Sequence, residues 1–181
     1  MVLVFGPIRL FYLTNHVSMR QAFESLTKEA ILNKLRQVDQ ALGEFGITKG
    51  KIAVAAFNPH GGENGAMGRE ELDEIIPAIG LAKAEGINAL GPYPADTIFI
   101  HGKQGAFDAI LAMYHDQGNI AAKLLGFGAG VTVVTGLPII RTSVAHGTAF
   151  DIAGKGIASA DTFIAAIETA SEIAIKRGLT S

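Results

Sequence analysis

No cysteine occurs in the 181-residue chain. That absence excludes disulfides, thiolate metal sites and a cysteine nucleophile, and leaves His, carboxylate or carbonyl groups as possible metal ligands. Charge is scarce: 15 Lys plus Arg stand against 17 Asp plus Glu, and charged residues make up 18% of the chain. Binders of a phosphate backbone carry a basic excess that is missing here, so nucleic acid is not an expected partner. Long uninterrupted apolar runs are missing as well. The longest uncharged stretch, Leu124 to Ile140, is broken by Gly126, Gly128, Gly130, Gly136 and Pro138 and suits a buried strand between tight turns better than a membrane span. The N-terminal MVLVFGPI has no basic segment and reaches Pro7 too early for a signal-peptide core, so a cytoplasmic protein is expected.

Apolar residues are abundant, at 49% of the chain with 22 glycines and a mean hydropathy of +0.32. A chain this apolar folds. Its surplus of apolar surface points to cover from outside, by a second subunit or a further domain. Pro7 to Leu13 reads as a buried strand, and Ser18 with Gln21 is a capping-box signature ahead of a helical stripe ending at Gly46, with a restart at Thr27. Lys51 to Phe57 is a second strand, followed by the glycine-rich loop from Asn58 to Gly68. Arg69 to Glu85 reads as a helix kinked at Pro77, with Leu72, Ile75, Ile76, Ile79 and Ala82 inward. A weaker strand around Ile87 to Leu90 leads into a loop from Gly91 to Asp96; Ala109 to Met113 and Val131 to Thr135 are further strands, and Ala160 to Arg177 is an amphipathic helix. Strands alternating with helices predict α/β layers in one unit over 1–181.

Three histidines follow strands at once: His16, His60 and His115. In an open α/β sheet the crevice beyond the carboxyl ends of the strands is where ligands sit. Each histidine alone is more often a structural residue, but three in equivalent places suit a divalent metal with open positions for substrate or water. Lys123 and Arg141, the latter followed by Thr142 and Ser143, could surround a phosphate or carboxylate, or could simply be solvated charges flanking an apolar strand. Asp96 and Asp116 lie in the same class of loops and could support a ligand histidine or carry a proton; their plainer reading is as turn or cap residues.

The strings TNH at 14–16, NPHGGENG at 58–65, MGREELDEIIP at 67–77, GPYPADT at 91–97, AMYHDQG at 112–118, LLGFG at 124–128 and GLPIIRTSVAHGTAFDIAGKG at 136–156 closely resemble the 4-hydroxythreonine-4-phosphate dehydrogenase family of vitamin B6 biosynthesis. The resemblance covers essentially the whole chain, which looks like the C-terminal, metal-binding and dimerisation half of such an enzyme without its N-terminal half. It implies a three-layer α/β/α fold of the isocitrate and isopropylmalate dehydrogenase type. It also implies that His16, His60 and His115 bind a divalent metal, with the third donated across a homodimer interface, and that Lys123, Thr132 and Arg141 contact substrate. Zinc is the expected metal, with cobalt, manganese, nickel and magnesium admissible. Thr132 stands where the B6-pathway enzymes carry Asn, and Ala145 where Asp is commoner before His-Gly-Thr. The segment from His146 to Ile157 resembles the adenosine-binding loop of the wider superfamily, which implies that His146, Gly147, Thr148 and Asp151 hold NAD.

The resemblance therefore implies oxidation and decarboxylation of 4-phosphooxy-threonine (4-hydroxy-L-threonine 4-phosphate) to 3-amino-2-oxopropyl phosphate. The departures at Thr132 and Ala145 motivate an alternative, a 4-phospho-D-threonate or 4-phospho-D-erythronate 3-dehydrogenase giving dihydroxyacetone phosphate. Two readings from other classes stand beside it: an inactive metal-binding dimerisation fragment, and a metal-dependent hydrolase or aldolase that would not need the 146–156 loop.

Overall fold

The computed structural model describes residues 1–125 and 130–179; Gly126 and Gly128, and the end of the LLGFG string, lie outside them. β1 (Val2–Phe5) and β2 (Ile8–Tyr12) form an antiparallel hairpin about Gly6-Pro7. β3 (Ile52–Ala55) pairs in parallel with β4 (Ala89–Tyr93) and with β5 (Ala109–Ala112), and β5 pairs in parallel with β2. On the far side β6 (Val131–Val134) runs antiparallel to β1 and to the last strand, β7 (Arg141–Val144). One seven-stranded sheet results, in the order β4-β3-β5-β2-β1-β6-β7.

Helices cover its two faces unequally. α1 (Met19–Glu24) begins at the capping box read from the sequence: the Ser18 side chain accepts from the Gln21 backbone N–H, and the Gln21 side chain accepts from the Ser18 N–H. α2 (Lys28–Glu44) restarts at Thr27, whose hydroxyl accepts from Ala30 N–H, and buries Ile31, Leu35, Val38 and Leu42. α2, α3 (Ile76–Ala84) and α6 (Asp161–Lys176) pack on one face, against Phe11, Val54, Leu111 and Val133. α4 (Ala95–Lys103) and α5 (His115–Leu125) pack on the other, against Leu10, Ala53 and Ile110. β3 and β5 lie between the two layers, and each of their residues is buried, which is why their sequences are apolar without alternation. β6 alternates instead: Val131 and Val133 are buried on the α6 side while Thr132 and Val134 remain partly open on the other.

Four expectations need correction. The helix expected from Arg69 is a π-helical turn over Glu71–Ile75 running into α3, in which the Ile76 N–H donates to the Glu71 carbonyl. The wide turn rotates the register, so Ile76 faces solvent and Glu71 is buried, while Pro77 sits in the first turn of α3, where its missing N–H costs nothing. The Gly91-Pro92-Tyr93 segment, expected as loop, is part of β4, an edge strand that tolerates proline. Asp96, expected in the same loop, lies in the first turn of α4. Finally, Arg141 to Val144 is a strand, and Val2–Phe5, read from sequence only for targeting signals, is another.

Candidate functional site

β2, β3 and β5 are parallel neighbours, so His16, His60 and His115 all leave the sheet at its carboxyl edge. The chain brings two of them together: the His16 and His115 rings lie 5.6 Å apart, centre to centre. His115 Nδ1 stands 2.6 Å from Asp116 Oδ1. A proton held on Nδ1 by that carboxylate leaves the Nε2 lone pair free, which is how metal-binding imidazoles are usually oriented. His60 stands apart, and among the described residues no three His, Asp or Glu side chains of one chain converge as a metal site.

The loop that carries His60 explains its isolation. Residues 60–64 all have positive φ, a left-handed stretch that includes the non-glycine residues His60, Glu63 and Asn64. Its anchor is Glu71, 1% exposed, whose carboxylate accepts from the backbone N–H groups of Phe57 and Asn58 and from Asn58 Nδ2. A Cβ on Gly62 would stand 2.6 Å from Glu71 Oε2, so this position needs glycine both for space and for its φ of +76°. The loop presents the His60 side chain outward, 67% exposed, with only Glu63 Oε1 3.2 Å from Nδ1.

Beyond β1, where Phe5 still belongs to the cluster packed with α4 and α5, the same face of β6 and β7 forms the floor of a cleft. Antiparallel register sets Leu3 beside Thr132 and Thr132 beside Ser143, all on this face, with Val134 beside Arg141 next along. α5 is the wall, presenting His115, Asn119 and Lys123 at helical i, i+4 spacing. A cavity of about 120 Å³ lies between Tyr12, Asn15, His16, His115 and Thr132. A larger one of about 360 Å³ adjoins it, lined by Phe5, Lys123, Gly130, His146 and Gly147; Leu3, Asn119 and Ala145 border both.

Lys123 and Arg141 do not surround one anion as the sequence suggested. Lys123 occupies the last turn of α5, about 12 Å along the helix from His115 at 1.5 Å per residue. Arg141 opens β7 beside the end of β6, at the carboxyl edge. The two cations bracket the open face from its ends. Asp116 reaches His115, whereas Asp96 opens with it onto a separate, largely apolar groove between α4 and α5, beside Phe99, Ile120 and Leu124. His146, Gly147, Thr148 and Asp151 lie on an exposed segment held by a short 3-10 turn, Phe150–Ile152, entered through Ala149 in a left-handed conformation. His146 and Gly147 border the larger cavity.

Two buried polar groups, on residues that border the smaller cavity, were missed in the sequence. Tyr12 reads there as one more apolar strand residue, yet its hydroxyl is buried with no hydrogen-bond partner among the described residues, and so is the side-chain oxygen of Asn15. Burial pushes the Tyr12 phenol well above the usual range, so it stays protonated. The i, i+4 spacing from His115 would have found Asn119.

The mixed sheet with helices on both faces is an α/β unit of the isocitrate dehydrogenase-like type. The family model for "Pyridoxal phosphate biosynthetic protein PdxA" matches residues 1–170, and the chain belongs to that family. It is 52% identical to a "Putative D-threonate 4-phosphate dehydrogenase" of Halalkalibacterium halodurans, over 92% of this chain and 50% of that protein. It is 49% identical to a 4-hydroxythreonine-4-phosphate dehydrogenase of Caulobacter vibrioides, over 99% of this chain and 54% of that one. The crystal structure of 4-hydroxythreonine-4-phosphate dehydrogenase from Klebsiella pneumoniae superposes with a TM-score of 0.83 at 42% identity, covering 96% of this chain and 53% of that one. The chain thus spans about half the length of the curated relatives it matches. No described helix is long and apolar enough to cross a membrane.

Proposed function

We propose that this chain supplies the metal- and substrate-binding part of a divalent-metal- and NAD-dependent dehydrogenase that oxidises and decarboxylates a phosphorylated 3-hydroxy acid. The observation that carries the reading is the His16–His115 pair, oriented through Asp116, beside an open face bracketed by Lys123 and Arg141. Two imidazoles make an incomplete set; because His115, expected as the donor from the second chain, stands beside His16 in the same chain, the reading gives that part to the outward His60 of a second chain and includes a homodimer with a shared site. When bound there, the divalent ion, zinc first among those that imidazoles accept, supplies Lewis acidity for the negative charge that develops on substrate oxygen.

The residues of the chain do the positioning. Asp116 Oδ1 holds the His115 Nδ1 proton and so fixes which nitrogen faces the site. Lys123 draws the phosphate along α5 while Arg141 stands ready for the carboxylate, which matches two separated cations to an acid with two anionic ends. The exposed His146–Asp151 segment, whose His146 and Gly147 border the Lys123 cavity, would hold the dinucleotide, which when bound would supply a hydride acceptor. Relatives named for D-threonate 4-phosphate and for 4-hydroxythreonine 4-phosphate match at similar identity, so 4-phosphooxy-threonine and 4-phospho-D-threonate, with the D-erythronate isomer, are the candidate substrates.

The test is bound metal per chain together with the mass of the assembly, measured on this chain and on its His115→Ala and His60→Ala variants. A dimer with about one metal per protomer, lost in both variants, is the expected result. A metal-free monomer would leave the inactive-fragment reading in its place. NADH formation by the protein carrying both halves then separates a dehydrogenase from a hydrolase or aldolase, which would release product without consuming NAD.

A further inference from the structure

We infer that Gln117 is a positioning residue for the metal: its carboxamide takes the place of a peptide unit between the ends of β3 and β5 and, with Thr14, fixes the spacing of the strand ends that carry His16, His60 and His115. The inference rests on the metal reading above and names what sets its ligands in place. β3 and β5 pair in register as far as Val54 beside Leu111, and the same register continued two residues sets Ala56 level with Met113. There the strands are joined through a side chain. The Met113 N–H donates to Gln117 Oε1 at 2.7 Å, and Gln117 Nε2 donates to the Ala56 carbonyl at 2.7 Å.

A side-chain amide carries the same donor and acceptor as a peptide group, so it can be inserted between two parting strands without leaving either backbone group unpaired. Its orientation is settled by its partners, because a carbonyl only accepts and an N–H only donates. A carboxylate in its place would lack the donor at neutral pH. On the other side of β5 the strands meet directly: the Leu13 N–H donates to the Ala112 carbonyl, and the Met113 carbonyl accepts from the N–H and from the hydroxyl of Thr14, the latter at 2.9 Å. β5 is thus joined to β3 through a spacer and to β2 without one.

Each of these bonds lies close in sequence to a histidine. Thr14 precedes His16 by two residues, Met113 and Gln117 stand two residues to either side of His115, and Ala56 precedes His60 by four. The bond from Met113 to Gln117 also closes the turn from β5 into α5, so the His115 backbone is held from before and from behind while Asp116 orients its ring. Metal–ligand distances must be met within about 0.2 Å. Strand ends that drift by more than this cost metal affinity before they cost the fold.

The experiment measures zinc affinity by competition with a chromophoric chelator, and the visible spectrum of the cobalt-loaded form, on the protein carrying both halves. Gln117→Met fills a similar space with neither bond; it should weaken zinc by about 10-fold or more and change the cobalt bands, which report ligand geometry. Gln117→Glu keeps only the bond from Met113 and should fall between, and it carries the same test if Gln117→Met does not fold. Thr14→Val should also lose affinity, and Thr14→Ser, which keeps the hydroxyl, should not. Leu42→Ala is the control: it empties a fully buried site beside Gly50, at the opposite edge of the sheet, and should lose stability while keeping affinity and spectrum. Unchanged affinity in both Gln117 variants overturns the assignment. So does an equal loss in Leu42→Ala, which would mean that metal binding merely follows stability. An unaltered protein that takes up neither zinc nor cobalt sinks the metal reading and the assignment together, whereas metal held normally by every variant sinks the assignment alone.

Discussion

β3 and β5 are buried along their whole length between two helical layers, whereas β6 and β7 have a helix on one face and a cleft on the other. The first region spends its side chains on packing. The second leaves Thr132, Ser143 and Arg141 directed at open space, on the face that the helix layer of α4 and α5 does not reach. His16 and His115 emerge where the two regions meet, because β2 is the last strand of the packed half and β5 lies beside it. The same sheet thus provides a rigid frame and an unfilled face, and the cost of the unfilled face falls on the segment beyond it: Phe150 is 83% exposed and Ile157 is 66% exposed. Surface of that kind is what a second chain or further domain covers.

The sharpest way to break this comparison is to cut a large side chain in each region. Leu111→Ala in β5 empties a fully buried site and should destabilise the chain by about 2–5 kcal/mol. Phe150→Ala removes a larger side chain from the other region and should change stability by less than about 0.5 kcal/mol. Denaturant midpoints of the two variants decide the matter, and similar losses would mean that the 146–157 segment is part of the folding core. Next in size comes Glu71→Ala, which leaves the Phe57 and Asn58 donors unpaired beneath the left-handed loop. A loss of about 2–3 kcal/mol is expected. Bound metal should fall as well, because the same carboxylate holds the loop that presents His60; intact stability would mean that water or another group takes over those donors.

The packed region was the legible one. β3 and β5 announce themselves as apolar runs, and the Ser18–Gln21 box fixes the start of α1 to the residue. Three histidines after three strands were legible because parallel strands send their ends to one edge. What escaped depended on contacts distant in sequence. Nothing local says that Glu71 turns inward to hold Asn58, or that the helix opens with a wide turn that leaves Ile76 facing solvent. Pro92 argues against a strand unless the strand is known to lie at the edge, and Asp96 looks like loop until α4 is seen to begin beside it. Tyr12 escaped for the opposite reason: its place in the strand was read correctly as buried, but only the structure shows that its hydroxyl was left without a partner.

That hydroxyl gives the smallest effect and the one that tests the boundary between the two regions most directly. Burial raises the Tyr12 phenol above its ordinary value of 10.0, so the folded chain keeps a proton that the unfolded chain gives up. The folded pKa is the higher one, and its contribution to stability is therefore complete below about pH 10 and is lost as the pH rises above that point. Each further pH unit should cost up to about 1.4 kcal/mol while the folded phenol remains protonated. Urea unfolding followed from pH 8 to pH 11, about two units below and one above the ordinary value, should show this decline in the unaltered chain and a shallower one in Tyr12→Phe. Equal slopes would mean that the phenol ionises in the folded state as readily as in water, and that the cavity beside His115 is wetter than its lining implies.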